Sequence, residues 1–253
     1  MLPSIEELES ALANEQFFVE YMPIVRLKDE TCVGAEALIR WRREADVVEP
    51  MDFIPLIENT PLSGLVTYWV IDKVAQELGQ WLRQPGSGFI SVNVPPEILG
   101  RGGLMYVATK CGLLDVVGKI VIEVTERGIP DHLGIKGLAA GKKLGIKVCL
   151  DDVGANDENL VVLARAHVDM IKLDKSFADN MLSPGWQPSA LGVLAVLANS
   201  TPMQIIAEGV QTGFQRDAFR DAGIQMAQGW YYSQPLSASR FMEFSGRAAA
   251  TAK

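Results

Sequence analysis

Histidine and cysteine are scarce in this chain: two and three residues, respectively, of 253. With only His132 and His167, a histidine-rich metal centre is excluded. Cys32, Cys111 and Cys149 are odd in number and lack metal-ligand spacing, which argues against a zinc site or a disulfide framework. Cys32 and Cys149 fall in strand-like runs, so the expectation is buried, reduced thiols in a cytoplasmic protein. Basic residues are also in deficit, 23 Lys and Arg against 31 Asp and Glu for a formal charge of −8. That balance argues against a basic nucleic-acid-binding face, so neither DNA nor RNA is an expected partner. An anionic ligand can bind only where cations or local Lys and Arg offset the excess. No apolar run reaches the roughly 18 residues of a membrane span, and Ala190–Ala198 is far shorter. The start, MLPSIEELES, is acidic and lacks the basic and apolar regions of a signal peptide.

What is present is apolar chain in regular alternation. Hydrophobic residues make up 48% of the sequence, enough for a sizeable core, and the length suits one large α/β domain. Ser4-Ile5-Glu6-Glu7 has the capping-box pattern and opens a helix to about Asn14. Phe17–Val25 and Cys32–Arg40 read as strands whose short connection makes them antiparallel. From there helices and strands alternate. Leu62–Arg83 precedes the strand at 88–94, Leu104–Cys111 precedes 119–126, and Leu133–Leu144 precedes 146–152. Leu160–Arg165 then precedes 168–174, Ser189–Asn199 precedes 203–210, and Phe214–Ala222 precedes 224–230. Apolar strands joined by helices imply a parallel sheet covered on both faces. Eight of them imply an α/β fold of modified TIM type, a (β/α)8 barrel with its first strand antiparallel to the others. Residues 1–253 are expected to form a single barrel domain, with 1–14 an N-terminal helix and 246–253 a C-terminal tail.

One residue does not suit an apolar strand. Glu36 interrupts the run GAEALIRW (34–41), whose flanks YMPIVRLKDETCV and RREADVV read as exposed or half-buried chain. A buried Glu is rare unless it is paired or holds a metal. The other strands carry polar residues at their C-terminal ends as well: Asn93, Glu123 with Glu126 beyond it, Asp151 with Asp152, Lys172 with Asp174, Glu208 and Gln228. In such barrels the active site is built at that end from several strands. Any one of these residues taken alone is an ordinary turn former or cap; Asp174 and Glu126 suit loop anchors and Asn93 suits a turn. Seven strands delivering such groups to one rim is a different matter, and the adjacent Asp151 and Asp152 would repel each other without a cation. Carboxylates and an amide without Cys or His suit hard ions such as Mg²⁺, Mn²⁺ or Ca²⁺. Paired ions of this kind hydrolyse phosphodiesters, and Lys172 adds a fixed positive charge.

These residues resemble the EAL-domain phosphodiesterases that hydrolyse cyclic di-GMP. The tripeptide Glu36-Ala37-Leu38 alone means nothing, but YMPIV, GAEALIRW, PMDFIPLIE, SVNVPP, IEVTE, DDVG, DMIKLDKSF, IIAEGVQT and QGWYYSQP occur in the family's order from about residue 15 to 240. The resemblance implies a Mg²⁺- or Mn²⁺-dependent enzyme that opens cyclic di-GMP to linear pGpG and forms a homodimer; Ca²⁺, whose larger, looser shell positions water less well, is expected to inhibit it. It implies that Glu36, Asn93, Glu123 and Asp151 hold a first metal, and that Asp151 bridges to a second held with Asp152. Lys172 would contact the attacking water, and Glu208 would act as base or as a water-mediated metal ligand. Gln228 would orient a water or the phosphate, Arg40, Leu38, Asn93 and Asp174 would contact substrate, and Glu126 would anchor the loop after its strand. Three positions depart from the family's pattern. The run 153–158 reads Val-Gly-Ala-Asn-Asp-Glu, Gln211 stands where a Glu is usual, and Met22 where a Gln is usual. The first two imply slow turnover, or a receptor that binds cyclic di-GMP and acts through a partner.

Overall fold

The computed structural model describes residues 3–125, 131–154, 168–187, 191–200 and 202–251. Helix α1 (Ile5–Ala13) opens on a reciprocal cap: Ser4 Oγ accepts the Glu7 N–H at 3.2 Å, and the Glu7 carboxylate accepts the Ser4 N–H at 2.9 Å. Strands β1 (Phe17–Arg26) and β2 (Cys32–Arg43) pair antiparallel, from Phe17 opposite Trp41 to Val25 opposite Cys32. Beyond Arg43 the chain folds back as β3 (Asp46–Val48), then forms α2 (Pro50–Ile57) and the long α3 (Pro61–Arg83). Thr60 Oγ1 caps α3 by accepting the Leu62 N–H, and Pro61 suits a first helical position whose N–H has no partner. Its buried stripe, Leu62, Val66, Val70, Val74, Leu78 and Leu82, repeats every four residues and covers the sheet.

Strands and helices then alternate: β4 (Phe89–Asn93), α4 (Gly103–Lys110), β5 (Ile120–Thr125), α5 (His132–Lys143), β6 (Lys147–Val153), β7 (Met170–Leu173), α6 (Ser176–Asn180), α7 (Gly192–Ser200), β8 (Gln204–Ala207), α8 (Gly213–Asp221), β9 (Met226–Ala227) and α9 (Ala238–Thr251). β2 and β4 to β9 pair parallel in sequence order, and β9 returns to β1 antiparallel through Val25 and Ala227. The sheet is therefore a closed eight-stranded barrel with β1 reversed, as the alternation and the short first connection predict. At its β2–β4 seam Gly34 is required: a Cβ there would lie 2.5 Å from the Phe89 carbonyl oxygen.

Side chains on a strand alternate between faces, and this divides the molecule into an outer apolar layer and a filled interior. On β1, Phe17, Val19 and Tyr21 face outward, where Phe17, Trp41, Phe53 and Trp69 form an aromatic cluster and Tyr21 stacks on Phe241 of α9. Inside, Ile24, Val121, Cys149, Met170, Ile206 and Met226 pack into a buried floor.

Several expectations change. The flank before GAEALIRW is not exposed throughout, since Tyr21, Ile24 and Val25 are fully buried in β1; RREADVV is exposed or half-buried as expected, but it continues β2 and turns into β3. Strand β3 escapes sequence reading because three residues are too short to show a period. The expected tail from 246 instead continues α9 to Thr251, consistent with the high helix propensity of Ala248-Ala249-Ala250. All three cysteines are free, but only Cys149 is buried; Cys32 and Cys111 sit at element ends and are half-buried. The Leu160–Arg165 helix lies outside the described residues.

Candidate active site

On five of the parallel strands the inward side chain two residues beyond the apolar floor is polar. Val121 is followed by Glu123, Cys149 by Asp151, Met170 by Lys172, Ile206 by Glu208 and Met226 by Gln228. A two-residue step keeps a side chain on the same face one layer higher, so these residues form a polar layer over the floor at the C-terminal mouth. Glu36 joins it from the middle of β2 rather than from the strand's end. Strand β4 pairs β2 only over Gly34–Ala37, and the rest of β2 runs on past the barrel rim to pair with β3.

The layer closes on Lys172, whose ammonium is 2.7 Å from Glu208 Oε1, 2.9 Å from Glu36 Oε2, 3.2 Å from Asp151 Oδ1 and 3.3 Å from Glu123 Oε2. Glu36 also accepts the Asn93 amide at 2.9 Å, and Gln228 Nε2 donates to Glu36 and to Glu208, both at 2.8 Å. Four carboxylates face one ammonium. Burial alone would lower the Lys172 pKa, but Asp151, Glu123, Glu208 and Glu36 raise it well above the ordinary value, so it is a permanent cation. Burial pushes Glu36 up, but Lys172 and the donors Gln228 and Asn93 outweigh it and hold this carboxylate down at about 2. For the other three the balance reverses. Burial, reinforced by Glu36, lifts Glu123 well above the carboxylate range; burial also lifts Asp151, and lifts Glu208 to about 8. One lysine therefore cannot keep all four ionised at neutral pH.

Asp151 and Asp152 would point to opposite faces in a regular strand. They do not, because the β6–β7 register slips between Leu150 and Val153: Leu150 faces Ile171, yet Val153 faces Leu173. Two residues of β6 thus oppose the single Lys172, a bulge that lets both aspartates approach one site. Asp152 takes up the irregularity at φ 58°, in the left-handed region that Asp tolerates better than most residues, and its N–H donates to Asp151 Oδ1 at 2.9 Å. As a result, oxygens of Glu36, Glu123 and Asp151 lie within 4.8 Å of one another, and so do those of Asp151, Asp152 and Glu208.

The donor set fits hard divalent ions. Among the described residues, two buried oxygens in this layer, Glu123 Oε1 and Gln228 Oε1, have no hydrogen-bond donor. The ligand groups are carboxylates and amides, and the excess negative charge is what a cation would neutralise.

Other sequence candidates sit outside this layer. Arg40 is buried on the same face of β2, with Nε donating to Glu20 Oε2 at 3.0 Å and Nη1 3.4 Å from Glu49 Oε2. Leu38 is half-buried between Glu36 and Arg40. Asp174 Oδ1 accepts the Ser176 N–H at 3.0 Å and starts α6, a structural tie rather than a contact with the layer. Gln211 is exposed, and its N–H and that of Thr212 donate to Gln215 Oε1, which fixes the loop after β8. Met22 lies opposite Glu36 in register, a buried thioether on the inner face. Glu126 and residues 155–158 lie outside the described residues. Sequence reasoning missed Glu20 and Glu49, the partners of Arg40; the inward parity of Glu20 on β1 was the available signal.

The sequence model of the EAL domain matches residues 5–235. The chain is 31% identical over 247 residues to the probable cyclic di-GMP phosphodiesterase PdeB of Escherichia coli K12, covering 94% of this chain and 46% of that protein. It is 30% identical over 241 residues to the cyclic di-GMP phosphodiesterase PdeR of the same organism, covering 92% of this chain and 36% of that one. The chain thus spans less than half the length of these curated relatives. Among solved structures, the c-di-GMP complex of the PaMucR phosphodiesterase aligns with a TM-score of 0.83 at 25% identity, over 94% of this chain and 98% of that one. The EAL enzyme Bd1971 bound to cAMP and cyclic di-GMP aligns with a TM-score of 0.81 at 26% identity, over 95% of this chain and 67% of that one.

Proposed function

The chain belongs to the EAL domain family, and from that premise we propose that it is a metal-dependent phosphodiesterase that opens cyclic di-GMP to linear pGpG. The observation that carries the reading is the polar layer itself: four carboxylates converge on one buried lysine, two amides bond those carboxylates, and two buried oxygens lack donors among the described residues. Glu36, Asn93, Glu123 and Asp151 are the residues that would hold one divalent ion, and Asp151, Asp152 and Glu208 a second. Two such ions, Mg²⁺ or Mn²⁺, would activate water and neutralise the departing oxygen. Ca²⁺ would bind and support little hydrolysis, because its looser shell positions water less well.

The chain's own groups do the rest. Glu208, bonded to Lys172 and Gln228, would take the proton of the attacking water once a bound cation holds its carboxylate ionised. Lys172 keeps a fixed positive charge beside the developing phosphoryl charge, in a site dry enough for that charge to act strongly. Gln228 bridges Glu36 and Glu208 and so sets their spacing. Arg40, Leu38, Asn93 and Asp174 would contact the substrate, and the part expected of Glu126, anchoring the loop after its strand, falls on a residue outside the described ones.

The enzyme would be slow. Asn156-Asp157-Glu158 replaces the family's small-aromatic-small segment, and Gln211 removes a negative charge from the loop after β8. Those same departures favour a second reading, a receptor that binds cyclic di-GMP without turnover and acts through a partner. Residues 1–253 would act as one barrel unit, as a cytoplasmic homodimer. Incubation with a panel of cyclic dinucleotides, followed by chromatography of products and by calorimetric binding, separates the readings. Turnover of cyclic di-GMP supports the enzyme, micromolar binding without product supports the receptor, and neither result removes both.

A further inference from the structure

Lys172 is already engaged by four carboxylates, so an anionic phosphodiester arriving at the barrel mouth draws on cations besides it, Arg40 among them. Arg40 lies on the β2 face that carries Glu36, four residues on and about 13 Å further along the strand. Its side chain is 8% exposed, and its two acidic partners differ. Glu20 lies diagonally across from it on β1, where Phe18 opposes Arg40 and Glu20 opposes Leu38. It accepts the Nε hydrogen at 3.0 Å, while Nη1 also donates to the Ile39 carbonyl at 3.1 Å. Glu49 sits just past the end of β3. Because Val48 pairs with Trp41, the next residue on each strand, Glu49 and Arg40, come together. Its carboxylate is 3.4 Å from Nη1, beyond the roughly 2.7–2.9 Å of a tight charge-assisted hydrogen bond, and its side chain is 56% exposed. Glu49 precedes α2 as its N-cap residue yet makes no side-chain capping bond, so Arg40 is the partner that holds its carboxylate.

We infer that Glu49 is a built-in competitor for substrate. Its carboxylate occupies the side of the Arg40 guanidinium that a phosphate oxygen takes, and anion binding displaces it while Glu20 keeps the guanidinium in place. The inference rests on the reading of the substrate as a cyclic dinucleotide.

Equilibrium binding of cyclic di-GMP to the intact chain, with calcium present and at low and high salt, tests it. Glu49→Gln tightens binding about two- to fivefold at low salt, the worth of an exposed ion pair, and by less at high salt, where such pairs are screened. Asp46→Asn removes an exposed carboxylate from the same ribbon, opposite Arg43 rather than Arg40, and leaves affinity at the parent value. If the parent binds and Glu49→Gln does not tighten, the inference is wrong and the substrate reading stands. Equal tightening by Asp46→Asn also overturns it, since any rim charge would then do. If the parent does not bind cyclic di-GMP, the substrate reading fails and takes this inference with it.

Discussion

Adding a divalent ion to the purified protein should raise its melting temperature, and by more at pH 8 than at pH 5.5. The reason lies in the three carboxyls whose pKa values burial raises. Glu208, at about 8 against an ordinary 4.5, shows the sign. A folded-state pKa above the unfolded value means that the metal-free fold is favoured most below about 4.5 and loses that advantage as pH rises toward 8. Fully expressed, the loss from this one group is roughly 5 kcal/mol. A bound cation holds these groups ionised at little cost, so its stabilising effect grows across the same window. At a concentration about 100 times the dissociation constant a ligand contributes about 2.7 kcal/mol, which for a chain of this size is a shift of roughly 5–11 °C. Thermal denaturation at both pH values, with Mg²⁺ or Mn²⁺ from zero to about 10 mM, measures it. Asp151→Asn, which alters the carboxylate shared by both candidate ligand groups, should reduce the shift. A metal-induced shift of zero, or one equal at the two pH values, would refute the linkage between cation and carboxyls.

Lys172→Met leaves four carboxylates buried without their cation and should cost about 3–5 kcal/mol at pH 8 in urea unfolding of the metal-free protein, with a smaller loss near pH 5, where they take up protons. An unchanged urea midpoint at pH 8 would show that the lysine does not balance them. Glu208→Ala should abolish product formation while calorimetry shows cyclic di-GMP still bound, and near-parent turnover would remove Glu208 from the proton transfer. Gln211→Glu should raise turnover about tenfold at low metal concentration and less at saturation, as expected for a group that tunes a metal's surroundings; no change at either concentration would locate the slowness in residues 155–158.

The barrel was legible because alternation of helices and apolar strands survives in sequence, and the polar layer because it sits two residues beyond an apolar floor on strand after strand. Glu36 was found as a carboxylate in an apolar run, but its height in the barrel was not, since the length of β2 depends on pairing with a three-residue β3. The approach of both Asp151 and Asp152 to one site depends on a register slip against β7, a long-range feature with no local signature. Arg40 was singled out in the sequence as a candidate substrate contact; that Glu20 and Glu49 hold it follows only from the β1–β2–β3 registers. Asp174, expected at the substrate, also accepts the Ser176 N–H at the α6 start, a tie that an aspartate after a strand commonly makes.

The central claim is that the carboxylate layer around Lys172 is a metal-dependent phosphodiesterase centre. Its most direct test is chromatography of cyclic di-GMP incubated with the parent and with Glu36→Ala, each with Mg²⁺, with Mn²⁺ and after chelation. The account predicts linear pGpG from the parent with either metal, and none after chelation or from Glu36→Ala. Absence of pGpG from the parent above the Glu36→Ala level, or equal pGpG from both, would contradict it.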